Sequence, residues 1–233
     1  MIKKKKGKQT KQLEYGDKIS FLGIYESPDE QRNTGGFDST NYFKSKKLYG
    51  KVTAEGDITI LQKRQVSLFS FFIYQVQVTS KDKIKQLLPG EEGNLLLGLL
   101  LGNTSFLSED TLESFKDSNL SHLLAVSGAH VSYVILGVTS ILKKSKLGNK
   151  GSIFFACVIL FLFMAVTGFT CSVTRAGIMG ILMLVSPLCR RKSDVFTNLS
   201  FSFLFLLITN PFCIYDLGLQ FSFSGTIRNF TFF

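Results

Sequence analysis

Four apolar runs in the second half of the chain leave few options for its fold. They are HLLAVSGAHVSYVILGVTSIL (His122 to Leu142), SIFFACVILFLFMAVTGF (Ser152 to Phe169), SVTRAGIMGILMLVSPLC (Ser172 to Cys189) and TNLSFSFLFLLITNPFC (Thr197 to Cys213). A helix needs ~20 mainly apolar residues to cross the hydrocarbon core of a bilayer, and each run is near that length. In hydrocarbon a spanning segment must satisfy its backbone internally, which a helix does. The charges between the runs alternate. The connection Lys143 to Lys150 carries four lysines and Arg190-Arg191-Lys192 three cations, whereas Thr170-Cys171 and Asn210-Pro211 carry none. Cytoplasmic loops concentrate Lys and Arg, so the two basic connections are expected inside. His122 then starts on the outer side, as does everything before it that does not cross.

The first 93 residues differ in character. They hold 17 Lys+Arg and 11 Asp+Glu, a net of +6, against 10 and 6, a net of +4, in the remainder, which together give the chain's +10. Such an excess suits nucleic acid, an anionic membrane surface, or loops that set topology. The opening MIKKKKGKQTKQ has no apolar run behind it and does not read as a signal peptide.

Residues 13–62 read as β structure. KISFLGIYESP (Lys18 to Pro28) alternates Ile19, Phe21, Gly23 and Tyr25 with other residues, the period of a strand. LYGKVTAEGDITILQ predicts a hairpin turning at Glu55-Gly56-Asp57, with Val52, Ile58 and Ile60 inward. Short strands with loops between them imply a small barrel or sandwich. Residues 63–93 form a linker: SLFSFFIYQVQV (Ser67 to Val78) is too short to cross, and 63–88 reads as an amphipathic helix lying at the interface, broken at Pro89-Gly90. NLLLGLLLG (Asn94 to Gly102) is re-entrant, interfacial or half of a buried helical hairpin. SEDTLESF predicts a short polar helix capped by Ser108.

Ionisable and helix-weakening residues inside apolar runs mark where helices face each other or water. The first run holds His122, Ser127-Gly128, His130 and Ser132. Ser127 and His130 lie three apart on one face, and Gly128 weakens the helix near its middle. They serve an interhelical hydrogen bond or line a pore. No nucleophile or metal-ligand set accompanies the two histidines, so no enzymatic role is expected. Arg175, one turn into the third run, either snorkels to the outer interface or stands as a fixed cation on a path for anions. Ala176 and Gly180 form a small-xxx-small step for close helix approach. Cys157, Cys171, Cys189 and Cys213 lack metal-ligand spacing and read as free thiols; no metal or cofactor is expected.

HLLAVSGAHV (His122 to Val131) resembles the signature of the ComEC competence-protein family. GLLLGNTSFLSEDTLESFKDSNLSHLLAVSG resembles the approach to it. TRAGIMGILMLVSPLCRRKSDVFTNLS is similar to the family's Arg-Ala helix and basic loop, and NPFCIYDLGLQFSFSGT to its Asn-Pro turn and next helix. Upstream, LEYGDKISFLGIYESPDEQRNTGGFDSTNYFKSKKLYGKV resembles the family's small OB-like β domain, notably in GGFD at Gly35 to Asp38. The resemblance covers residues 13–227.

It implies a membrane protein: a partial OB-like β domain (13–62), an interfacial linker (63–93), and a polytopic helical channel domain (94–233) with at least four helices. The function implied is import of single-stranded DNA through the cytoplasmic membrane in natural transformation, with the β domain outside. Other competence proteins, membrane lipids and further copies of the chain are the implied partners. OB surfaces hold single strands with cations and stacking aromatics, and Tyr42, Phe43, Lys44, Lys46, Lys47 and Tyr49 supply that mixture. His122, Ser127, Gly128, His130 and Arg175 would line or brace the path. The family places helices before the β domain and continues after the matched segment, so the chain is expected to be truncated at both ends and not to transport DNA by itself. The alternatives are a non-functional fragment of a disrupted channel gene and a small-solute permease, although no internal repeat supports the latter.

Reporter fusions at Lys146 and Arg191 should give the same signal, both cytoplasmic; opposite signals would refute this topology.

Overall fold

The computed structural model describes residues 2–4, 13–28, 38–55, 57–63, 65–102, 104–120, 124, 126–144 and 148–231. The expected site residue His122 and Gly35 to Phe37 of the GGFD motif lie outside them. Helix dominates, at 66% of the described residues.

The β module comprises β1 (Ile2–Lys4), β2 (Lys18–Ser20), β3 (Gly23–Glu26), β4 (Lys51–Ala54) and β5 (Thr59–Gln62). Its pairing corrects the hairpin expectation. β4 and β5 do not pair with each other. β4 runs antiparallel to β3, from Gly23↔Ala54 to Glu26↔Lys51, and β5 antiparallel to β2, from Ser20↔Thr59 to Lys18↔Gln62. β2 and β3 thus pair with β5 and β4 as an antiparallel ribbon, and Gly56 of the expected turn lies outside the described residues. Glu55 N–H donates to Leu22 O at 2.8 Å, next to the end of β4. β1 adds to β4 in parallel. Ala54 is buried while β3 is exposed throughout, with Tyr25 at 61%, and Val52, Ile58 and Ile60 are only half-buried. The described strands form two open sheets, of three strands and of two.

The chain between the ribbon's strands carries α1 (Ser39–Ser45). It begins at Asp38, whose carboxylate accepts from Asn41 N–H at 3.1 Å. Then come α2 (Leu68–Leu87), capped by Ser67, and α3 (Glu91–Leu101), with Pro89-Gly90 between them. Gly90 has φ 100°, in the region that favours glycine, so the chain reverses there. α2 lies against the C-terminal half of α6: Gln77 donates to Val166 O at 2.6 Å, and Tyr15 stacks on Tyr74 with centroids 4.5 Å apart. Leu97 of α3 is fully buried, so the Asn94 to Gly102 stretch packs as half of a helical hairpin. α4 (Glu109–Asp117) starts where expected, Ser108 Oγ accepting from Thr111 N–H at 3.2 Å.

The bundle contains α5 (Gly128–Lys143), α6 (Asn149–Val166), α7 (Cys171–Val185), α8 (Val195–Thr209) and α9 (Leu217–Thr231). All four expected apolar runs are helical, but with shorter helices. α6 is long and apolar enough to cross a membrane, and 28% of its span is buried. α5, α7 and α8 have 16, 15 and 15 residues, so at 1.5 Å per residue they are roughly 22–24 Å long. Caps set these limits. Asp194 accepts from Thr197 N–H at 2.7 Å and starts α8, and Ser127 starts α5. Gly128 is therefore the first residue of its helix and not a weak point in the middle.

α7 packs against α5, α6, α8 and α9. Leu160, Met164, Val131 and Val173 form the central core with Val126. A side chain on Gly180 would begin 2.5 Å from Ile135 Cδ1 and 3.2 Å from Leu160 Cδ2, so the small-xxx-small step lets those residues reach the α7 backbone. The end of α5 meets the start of α6, Ser152 Oγ donating to Leu142 O at 3.5 Å, and α6 runs antiparallel to α7, so these ends and the end of α7 lie opposite the α6–α7 turn.

Gly180→Leu should overpack this seam and destabilise the bundle by about 1–3 kcal/mol. Unfolding of the detergent-solubilised protein measures it, and an unchanged transition would contradict the packing.

Candidate functional site

The β module meets the bundle through α1. α1 lies on the 3₁₀ turn Pro211–Tyr215 that links α8 to α9. The sequence builds this turn from Asn210, whose side-chain oxygen accepts from Phe212 N–H at 3.2 Å, and from a proline with φ preset for helical geometry. Asn210 Nδ2 then donates to Ser45 O at 2.8 Å, tying the turn to the end of α1. Lys46 Nζ donates to Asp216 Oδ2 at 2.5 Å across 170 residues of chain. Asp216 is 4% exposed, and its other oxygen accepts from Gly218 N–H at 2.9 Å, capping α9. Burial alone would lower the Lys46 pKa, but its hydrogen bond to Asp216 and the carboxylate's charge outweigh that and raise it.

Between α1, the α6–α7 turn and the end of α8 lies a cavity of about 610 Å³. Ser45, Lys46 and Lys47 form its α1 wall, and Thr170, Thr174, Thr209 and Asn210 add polar groups from the bundle. Hydroxyls in these helices mostly return to their own backbone: Ser132 to Gly128 O, Thr139 to Ile135 O, Thr167 to Phe163 O, Ser202 to Leu199 O and Thr209 to Leu206 O. Thr174 Oγ1 is different. It is buried with no hydrogen-bond partner, as is Arg175 Nε beside it, and these are the two such side-chain atoms among the described residues.

The six residues expected to bind a strand do not act as one surface. Lys46 is held by Asp216 and lies 5.7 Å from the Tyr42 ring centroid, so it serves docking first. Lys44 Nζ sits 5.3 Å over the Phe212 ring, and Tyr42 meets Phe43 edge-on at 5.9 Å. Tyr49 is 63% exposed, and its backbone oxygen accepts from Tyr25 Oη at 2.7 Å. Lys47 is exposed, in the left-handed region at φ 57°, and borders the cavity.

The intramembrane set divides likewise. Ser127 N–H donates to His130 Nδ1 at 3.1 Å, so this pair caps α5. Arg175 does not snorkel. It is 8% exposed, Nη1 donates to Thr226 Oγ1 at 3.2 Å, and its head lies 5.5 Å over the Phe223 ring. Gly128 touches its other side. The structure thus brings Gly128 and Arg175 together, with Ser127 and His130 at the same helix start.

Sequence reasoning did not single out Asp216, Thr174 or Thr226. An Asp ahead of an apolar run is a cap signal that marks Asp216. Nothing local marks the other two, because their roles come from distant partners.

Residues 99–228 match the family model described as Competence protein. The chain belongs to that family. A curated member of similar sequence, ComE operon protein 3 of Bacillus subtilis (strain 168), is 25% identical over 215 residues, covering 91% of this chain and 27% of that protein. The chain thus spans about a quarter of its relative's length. No solved structure matches it. The family match holds α4 to most of α9, including the second partner of each α1 contact, Asn210 and Asp216.

Lys46→Ala should destabilise α1 docking by about 1–2 kcal/mol, a partly exposed pair falling between surface and buried cases. A double-mutant cycle with Asp216→Asn, read by thermal unfolding, should give non-zero coupling; strict additivity would refute the contact. Because the Lys46 pKa is raised, this stabilisation is complete at neutral pH and fades only as pH climbs through and above the ordinary lysine range.

Proposed function

We propose that this chain is part of a competence protein's cytoplasmic-membrane conduit, which takes up single-stranded DNA from a basic module on the outer side. The observation that carries the reading is the cavity of about 610 Å³ where α1 meets the bundle, bordered by Lys46 and Lys47. It lies at the α6–α7 end, opposite the two basic connections. With those connections in the cytoplasm by the positive-inside rule, the cavity and the β module face outward. The bundle's outer surface agrees with lipid contact: Tyr133, Ile141, Ile208 and Phe221 are each more than 70% exposed, and apolar display on that scale marks a surface meant to be covered. α6 crosses; α5, α7 and α8 complete a polytopic domain together with segments of the full-length protein.

The chemistry is that of a conduit. A single strand presents one phosphate per nucleotide, and exposed lysines attract it by a salt-dependent, sequence-independent force. Lys47 and Lys44 lead toward the cavity, and exposed Tyr49 and Phe43 offer rings for stacking. Docking through Lys46 and Asp216 keeps that arm over the cavity. Competence-machinery partners would deliver the strand.

Oligothymidylate binding should weaken with salt, and Lys44→Gln with Lys47→Gln should reduce the slope of log affinity against log salt by about 1.4, at ~0.7 per lost phosphate contact. A wild-type affinity insensitive to salt would sink the reading.

A further inference from the structure

We propose that Arg175 is the anion-holding residue of a phosphate subsite inside the bundle, in a second cavity of about 450 Å³ between α5, α7 and the start of α8. The inference rests on the conduit reading above and adds a specific contact to it. Arg175, Gly128, Ser132, Met179, Ser193 and Asn198 are among the lining residues, and the lining includes no carboxylate.

A guanidinium is effectively always protonated. Burying one costs several kcal/mol unless an anion or a full set of acceptors compensates it. Here the compensation is partial. Nη1 has Thr226 Oγ1 at 3.2 Å and the Met179 sulfur at 4.0 Å, while Nε is buried with no partner among the described residues. Neither partner carries charge. The Phe223 ring covers one face of the head, leaving its edge to point elsewhere.

That edge borders the cavity. Nη2 lies 3.6 Å from where a side chain on Gly128 would begin, and Gly128 lines the cavity with Arg175. A glycine at the first position of α5 therefore leaves the room beside Nη2 unfilled. Ser132 Oγ donates to Gly128 O and Asn198 Nδ2 to Ser193 Oγ, which leaves Asn198 one further N–H to donate. A buried cation fixed on one side by neutral groups, beside a space whose described lining holds no carboxylate, fits a tetrahedral oxyanion, and arginine's planar fork matches two of its oxygens. The ligand class is a phosphate mono- or diester. Its source is either a strand in transit, free phosphate or a lipid headgroup; the strand follows from the conduit reading.

The test uses the whole chain purified in detergent. Arginine-selective modification by phenylglyoxal is followed at Arg175 by mass spectrometry, with inorganic phosphate or oligothymidylate at constant ionic strength. Both should slow modification about tenfold or more at saturation, as a charge-assisted contact implies. In parallel, phosphate should raise the unfolding temperature of the wild type but not of Arg175→Gln. Arg175→Lys, which keeps charge without the fork, should show a reduced shift and serves if the glutamine variant does not fold. Unchanged modification with both ligands overturns the subsite. If Arg175 stays unprotected while oligothymidylate binds through Lys44 and Lys47, the subsite fails and the conduit reading stands. If phosphate protects but oligothymidylate binds nowhere, the conduit reading fails and a small-anion site remains. Protection by anionic-lipid nanodiscs alone, with none in neutral-lipid nanodiscs, overturns the strand as occupant.

Discussion

Close packing on α7 is the constraint from which the remaining geometry follows. Val173, Gly177 and Gly180 are buried on that helix, and the absent side chains at the two glycines let Met164, Leu160 and Ile135 approach its backbone. Contact energy between apolar atoms is small per pair and falls steeply with separation, so a seam of small residues gains by allowing many contacts at short range. Four helices can then surround α7, and its first turn is enclosed from all sides. Thr174 and Arg175 occupy that turn and are buried for this reason.

Two cavities border this part of the helix, one lined by Thr174 and the other by Arg175. Most hydroxyls of the bundle bond to their own helices, which is how helices carry Ser and Thr among apolar neighbours without an energetic penalty. Against that background two adjacent exceptions among the described residues stand out, since an orphaned polar group costs about 1–3 kcal/mol. In the proposed conduit they lie along the direction from the α1 wall into the helices.

The junction with the β module depends on a residue that performs two tasks. Asp216 caps α9 and holds Lys46, so the start of the last described helix and the position of α1 are coupled. Asn210 repeats the arrangement by shaping its own turn and holding Ser45. A module attached through caps is aligned by the backbone of the bundle, a more rigid support than a contact between long side chains on exposed surfaces. The same contacts explain why Lys46, which the composition around it assigns to a strand-binding surface, has a structural duty.

Much of this architecture is readable along the chain itself. Runs of 17 to 21 apolar residues, Ser108 as a cap, the break at Pro89-Gly90 and the alternation of basic connections are local signals, and they require only neighbours a few residues away. The motifs His122 to Val131 and Asn210 to Thr226 pointed to the competence family in the same way. Strand partners were not legible, because turn-forming residues at Glu55-Gly56-Asp57 do not say which strand lies beside Lys51–Ala54, and pairing with residues 18–26 decides that. Helix lengths were misjudged because hydropathy continues past the caps that end a helix. The partners of Lys46 and Arg175 lie 170 and 51 residues away. Local pattern thus settles which segments are helical and apolar, since those properties belong to consecutive residues; which charges are buried, and against what, belongs to contacts that exist only once distant segments pack.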